Sequence, residues 1–210
     1  MSEKPLPKEG ILIIGTGTLA RWAAQIAEAS GMLVYGFTPT RQHPQKEQED
    51  ISILPPITQA RIYGLIRRGK AGYILGLTDP VMRERMAHQL FEKTEHVAYS
   101  CIHPNVFISP HAEIGGGAII FPYVVIAFRA KVGGYVVLES HSSVGAGALI
   151  EDFVNIGSGC HIGEECRISS YVRIGRGSVL YAGVKVGKGA EILPGSVVRE
   201  DVRPGEVYSS

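Results

Sequence analysis

From Ile102 to Val198 an aliphatic residue stands at every sixth position without a single insertion: Ile102, Ile108, Ile114, Ile120, Ile126, Val132, Leu138, Val144, Ile150, Ile156, Ile162, Ile168, Ile174, Leu180, Val186, Ile192 and Val198. The position two before each is confined to small residues and valine, among them Ala112, Ala118, Val124, Ser142, Cys160, Cys166 and Ser196. This spacing matches neither the ~3.6-residue period of a helix nor the ~2-residue period of a long strand. It suits short strands joined by tight corners, with one large and one small residue pointing inward on each side. Three sides close a triangular coil of about 18 residues, and coils stacked at ~4.8 Å make a prism of roughly five to six coils, ~26 Å tall. Glycine often follows the large residue, as at Gly115, Gly133, Gly145, Gly157, Gly163, Gly175 and Gly187, so unusual corner angles are expected there. Cys160 and Cys166 then read as small core residues rather than ligands or nucleophiles. The repeat alone does not set the hand of the coil, because chain chirality favours right-handed crossovers.

The remaining half of the 210 residues is long enough for a second domain, placed here at 1–100 with the prism at 101–210. Lys and Arg total 21 against 20 for Asp and Glu, so no positive excess exists to neutralise a phosphate backbone or anionic lipid. Nucleic acid and membrane are therefore excluded as partners. The cysteines at 101, 160 and 166 have neither zinc-site spacing nor the density of a disulfide scaffold, which predicts no metal and a reducing cytoplasm. No apolar run reaches the ~18–20 residues that span a bilayer, and residues 1–10 are polar rather than signal-like.

In the first half, Ile11–Ile14 is a buried-strand signal running into Gly15-Thr16-Gly17-Thr18-Leu19-Ala20. Residues 20–30 read as a helix ended by Gly31, and Leu33–Phe37 as the next strand. This is the βαβ start of a Rossmann-like domain, with turn amides available to a phosphate. Close strand–helix packing requires the same glycines, so nucleotide binding and packing both remain open at this turn. Thr38, Pro39 and Thr40 stand where a dinucleotide site places an acid for the ribose, which excludes NAD. Residues 38–58 are polar and proline-rich and read as an irregular excursion. A strand over 73–77 precedes a helix over 80–93, capped by Thr78 or Asp79 with Pro80 in its first turn. Val97–Cys101 is expected to form a last short strand.

The order of parts, together with the glycine turn at 15–20, Leu75-Gly76-Leu77-Thr78-Asp79, Ile102-His103-Pro104, Phe121-Pro122-Tyr123-Val124-Val125-Ile126, Glu151-Asp152-Phe153-Val154 and Pro194-Gly195-Ser196-Val197-Val198, resembles one family. It is similar to the bacterial sialic acid O-acetyltransferase and UDP-amino-sugar N-acetyltransferase family. The resemblance implies a left-handed parallel β-helix of hexapeptide repeats behind a Rossmann-like N-terminal domain. It also implies a homotrimer with active sites between neighbouring prisms, to which outward Phe121, Tyr123, Phe128, Tyr135 and Phe153 would contribute apolar surface. Acetyl-CoA would lie in the groove between prisms, with Asn155, Gly157, Gly163 and Gly175 as cofactor-binding positions. A nucleotide-sugar substrate would be held by Gly15, Thr16, Gly17 and Thr18.

Family chemistry uses a histidine, assisted by an acid, to deprotonate the sugar amine or hydroxyl as it attacks the thioester. An ungapped alignment places that histidine at Ala146, the acid at Gly147 and a second histidine at Asn155. His141 and His161 are the candidate catalytic residues left nearby, at outward positions equally suited to solvated or interface histidines, and His141 is the favoured base because it precedes Ala146 on the same rung. Residues one coil apart stack, so His161 should lie beside Ser143 and His141 beside Gly159. Two functions stay open: an acyl-CoA-dependent transferase acting on an amino or hydroxyl group of a nucleotide-linked sugar, or a catalytically inactive trimeric scaffold or regulatory homologue that keeps sugar-nucleotide binding.

Overall fold

The computed structural model describes residues 10–38 and 59–210, and the chain divides into two compact units, Met1–Cys101 and Ile102–Ser210. In the first unit, β1 (Ile11–Ile14), α1 (Thr18–Ala29), β2 (Val34–Thr38), α2 (Gln59–Arg67), β3 (Gly72–Leu75) and α3 (Pro80–Thr94) follow in order. The three strands are parallel and ordered β2-β1-β3. β1 is central and wholly buried, which is why its sequence is an unbroken apolar run rather than an alternating one. α1 buries Leu19, Ala20, Ala23, Ala24, Ile26 and Ala27, and ends before Gly31 at φ +79°.

β1 and β3 end in glycines for a packing reason. A Cβ on Gly76 would come within 2.4 Å of the Ala20 Cα, and one on Gly15 within 2.8 Å of the Gly76 carbonyl oxygen. Both strand ends and the first turn of α1 therefore meet backbone to backbone. Asp79 caps α3, its Oδ1 accepting the Met82 N–H at 2.7 Å with Pro80 in the first turn, as its spacing predicts.

In this half one element was not expected and one expected strand does not form. α2 carries buried Ile62 and Ile66 one turn apart, but its interior Gly64 and nine-residue length leave little periodic signal. The excursion expected over 38–58 lies outside the described residues, except that Thr38 closes β2. Val97–Cys101 does not form a strand. Tyr99 N–H donates to the Tyr73 carbonyl at 2.8 Å, and its ring lies against Gly72, where a Cβ would approach it to 2.5 Å. That bond ties the segment to β3 without a strand forming over 97–100, and Cys101 with Ile102 opens the prism.

The prism winds as a left-handed parallel β-solenoid of about six turns. Its three flat faces are parallel sheets of seven, six and five two-residue strands. Residues 18 apart lie side by side on successive coils, as where Ser143 pairs with His161 and Leu138 with Ile156. The second residue of each strand points inward, and Ile120, Leu138, Ile150, Ile156, Ile168 and Ile192 are all buried in one continuous core with Cys160 and Cys166. The first face presents Val137, Asn155, Arg173 and Glu191 outward, the second Phe107, Val125, Ser143, His161, Val179 and Val197, and the third Glu113, Lys131, Leu149, Arg167 and Lys185.

Left-handed backbone falls two residues later than the glycines that follow each large residue. Tyr123, Arg129, Tyr135, His141, Gly147, Phe153, Gly159, Glu165 and Tyr171 all have φ between 55° and 68°. Gly115, Gly133, Gly145, Gly157, Gly163, Gly175 and Gly187 do not occupy that region. They are glycines because a Cβ would strike the next coil's backbone, for instance Pro194 N at 2.4 Å from Gly175. The outward aromatics also need correction. Phe121 and Phe153 are buried within the chain, with Phe153 stacked between Tyr135 and Tyr171 at centroid distances of 5.0 and 5.8 Å. Tyr123 and Phe128 do remain exposed, as does Phe107 on the second face.

Candidate functional site

His141 sits at the corner between the first and second faces, in left-handed backbone at φ +61°. Its exposed imidazole stacks on Tyr123 with centroids 5.0 Å apart and planes 15° from parallel. One coil on, the same corner is Gly159, where an added Cβ would meet nothing within 4 Å. No side chain at that position covers the far face of the His141 ring.

His161 stands on the second face, where the parallel register sets it against Ser143. Ser143 Oγ and His161 Nδ1 are 2.9 Å apart, so the stacking expected from their spacing is realised as a side-chain hydrogen bond. Glu139, two residues before His141, accepts from the Ser158 N–H at 3.1 Å, the Ser158 hydroxyl at 2.8 Å and Arg176 Nε at 3.3 Å. Glu151 binds the Ser170 N–H and hydroxyl in the same way at a different corner, at 2.8 and 2.9 Å. The same geometry at two corners identifies it as a staple between coils rather than a catalytic arrangement.

Ala146 and Gly147 lie at the corner between the second and third faces. Gly147 has φ +66°, and the Glu165 carboxylate from the next coil occupies the space that a Gly147 side chain would fill. A carboxylate thus stands beside the position that the resemblance assigns to the family's acid, delivered from 18 residues downstream. Sequence alignment along the chain passes over Glu165. The coil period places Glu165 one coil after Gly147 but does not set the direction of its side chain.

The four positions expected to bind the cofactor do not form one strip. Gly157 and Gly175 share a corner one coil apart, with Asn155 on the strand that precedes Gly157, whereas Gly163 belongs to the next corner. Added Cβ atoms at Gly157, Gly163 and Gly175 would approach the next coil's backbone to 2.8, 2.6 and 2.4 Å, so coil stacking accounts for all three glycines. An open groove of about 600 Å³ on the third face is lined by Glu113, Lys131, Gly133, Glu151, Asp152 and Ser170 among others. Its charged groups satisfy one another locally: Lys131 pairs with Glu113 at 3.1 Å, and Asp152 accepts the Gly134 N–H at 2.6 Å.

In the first unit, the Gly15 N–H is committed to the Thr38 carbonyl at 2.8 Å. Anion-binding capacity at this turn therefore rests on Thr16, Gly17 and Thr18. α1 begins at Gly17 without a side-chain cap or an acidic residue in its first turn, leaving the positive end of the helix uncompensated by either. Arg83 is wholly buried nearby in the fold and donates from Nη1 to the Leu77 carbonyl at 2.7 Å, bracing the bend after β3. Burial lowers its pKa to about 10, against the opposing pull of Asp79. Among the charged residues of α3, nothing in the sequence marks Arg83 as the buried one. Burial also raises the Cys160 and Cys166 thiols and pushes Cys101 up to about 12, which fits protonated core residues.

Residues 141–176 match the family model for bacterial transferase hexapeptides, described as six repeats. The matched stretch, 36 residues long, corresponds to two coils of the prism. No curated protein matches the chain in sequence. The fold with its hexapeptide prism is similar to that of a variant of GDP-perosamine N-acetyltransferase from Caulobacter crescentus, solved with CoA and GDP-perosamine, at 18% identity and a TM-score of 0.86 over 96% of this chain and 94% of that one. The acetyltransferase domain of PglB from Neisseria gonorrhoeae, solved with acetyl coenzyme A, is similar at 20% identity and a TM-score of 0.81 over 94% of each chain. WeeI from Acinetobacter baumannii is similar at 19% identity and 0.77 over 93% of each. Among the described residues no helix is long and apolar enough to cross a membrane.

Proposed function

We propose that the chain transfers an acetyl or related acyl group from acetyl-CoA to an amino or hydroxyl group of a nucleotide-linked sugar. The strongest support is the likeness, along nearly the whole chain, to an N-acetyltransferase solved with CoA and GDP-perosamine. In this reading residues 1–100 are a Rossmann-like substrate domain. Thr16, Gly17 and Thr18 offer the amino end of α1 to the substrate's phosphates, and Gly15 shapes the turn. Residues 101–210 are the acyltransferase domain, with the donor along the corner carrying Asn155, Gly157 and Gly175, and Gly163 at the next. His141 or His161 accepts the proton of the sugar nucleophile as it attacks the thioester carbonyl. The assembly is a cytoplasmic homotrimer, with Phe107, Val125, Val179 and Val197 of the second face turned toward a neighbouring copy.

Ala146 favours a second reading, a catalytically inactive trimeric scaffold that keeps sugar-nucleotide binding. The acyl donor separates the two. Titrating acetyl-CoA into the protein by calorimetry is expected to give a saturable heat, and absence of any heat leaves the scaffold reading standing. Sedimentation is expected to return a trimer, and a concentration-independent mass near the 22.6 kDa of one chain would sink that assembly.

A further inference from the structure

We infer that the Tyr123–His141 stack is a platform for the base of a nucleotide, with Arg176 as the partner of its phosphates. This deepens the acyl-transfer reading and rests on it only for which nucleotide arrives. The prism carries two ring stacks and finishes them differently. At the corner between the third and first faces, Tyr135, Phe153 and Tyr171 stack over three successive coils with planes within 4° of parallel. Lys188 Nζ lies 5.0 Å from the Tyr171 centroid and closes the end of that column. At the corner between the first and second faces the stack has two rings and stops at His141. The next three residues of the column are Gly159, Gly177 and Gly195, where an added Cβ would meet nothing within 4 Å. The outer face of the His141 ring is the end of an unfinished ladder, with room for one more ring.

A cation stands beside that place. Arg176 begins two coils beyond Glu139 and runs back along the corner, its Cγ 3.0 Å from where a Gly157 Cβ would lie. Its Nε reaches Glu139, two residues before His141, and its side chain is 75% exposed. Glu139 also accepts shorter bonds from the Ser158 N–H and hydroxyl, at 3.1 and 2.8 Å. The guanidinium can therefore turn to a phosphate without leaving that carboxylate bare. Every nucleobase offers a flat face to an aromatic or histidine ring, and the guanidinium fork matches phosphate oxygens. A ring joined to phosphates satisfies both features, whereas a bare sugar or an acyl chain satisfies neither. With His141 in this role, the base of the proposed reaction is His161.

Both the donor and the acceptor of that reaction carry a nucleotide, so the test has two arms. The full chain is titrated by calorimetry with CoA and ADP in one arm, and with UDP and GDP in the other. In one arm, His141→Gly is expected to weaken binding by ~10-fold or more. Glycine is the residue that the next three coils carry at this place, so the exchange removes the ring without straining the corner. His141→Phe keeps a ring where Phe153 shows that one is accommodated, and should hold the affinity within about three-fold. Arg176→Gln should weaken binding and flatten its dependence on salt. Loss confined to CoA and ADP assigns the platform to the donor, and loss confined to UDP and GDP assigns it to the acceptor. Binding through His141 without acyl transfer to any nucleotide sugar would uphold the platform and count against the transferase reading. Transfer with both KM values unchanged in His141→Gly would overturn the platform and leave acyl transfer standing. Unaltered affinity for all four ligands in His141→Gly, no binding of any of them to the parent, or His141→Phe binding as weakly as His141→Gly overturns the inference outright.

Discussion

Ile156→Asp is expected to unfold the prism at temperatures where Glu164→Gln leaves it intact. Ile156 is 1% exposed, points into the prism axis, and lies between Leu138 and Ile174 of the adjoining coils. An aspartate there places a charge in an aliphatic column with no partner, and the lost burial adds to that penalty, for a total above ~4 kcal/mol. Glu164 is exposed at a corner and offers the coil ladder its carbonyl, which receives the Gly183 N–H at 2.8 Å and is unaffected by the exchange. Each coil is held by its neighbours, so a central defect separates two short stacks. Thermal melts of the two variants check this. Equal melting temperatures would mean that the inward register is misplaced.

That register was legible because the prism imposes it on every coil. Leu138, Val144 and Ile150 are large and inward for one geometric reason, and the structure repeats the reason every 18 residues. Which residues bend the corners was less legible. Left-handed backbone is expected to select glycine, yet His141, Phe153, Glu165 and Tyr171 occupy it, because coil-to-coil contacts outweigh a local preference of ~1–2 kcal/mol. The glycines that drew attention answer a different demand, the closeness of the next coil's backbone. In the first unit the β1–Gly15–α1 sequence declared its fold locally. Val97–Cys101 misled because an apolar run states burial and leaves open whether its amides pair.

The site was legible only in part, and for the same reason. Spacing brought Ser143 to His161, since both lie on regular faces where one coil predicts the next. It gave no warning of Glu165 against Gly147, because a corner side chain's direction depends on backbone angles that a period does not specify. Arg83 was invisible because burial of a single charge in α3 is a tertiary fact.

If the chain transfers acyl groups, removing its base should lower the rate by ~10²- to 10⁴-fold with little change in acceptor affinity. Ala146 and Asn155 cannot accept a proton at neutral pH, which leaves His141 and His161 as the nearby imidazoles. The geometry separates their roles. His141 is held by stacking on Tyr123 with its other face toward Gly159, an arrangement that suits positioning or binding of a flat or cationic group. His161 has a defined hydrogen bond to a hydroxyl that can orient it or receive its action. His161→Ala is therefore expected to cause the larger fall in turnover, and His141→Ala the larger rise in KM. The measurement screens nucleotide sugars with acetyl-CoA for an acceptor. It then compares steady-state constants of both variants at unchanged melting temperature and assembly mass. If both keep the parent turnover, neither imidazole is the base, and the Glu165 carboxylate beside Gly147 becomes the group to remove next.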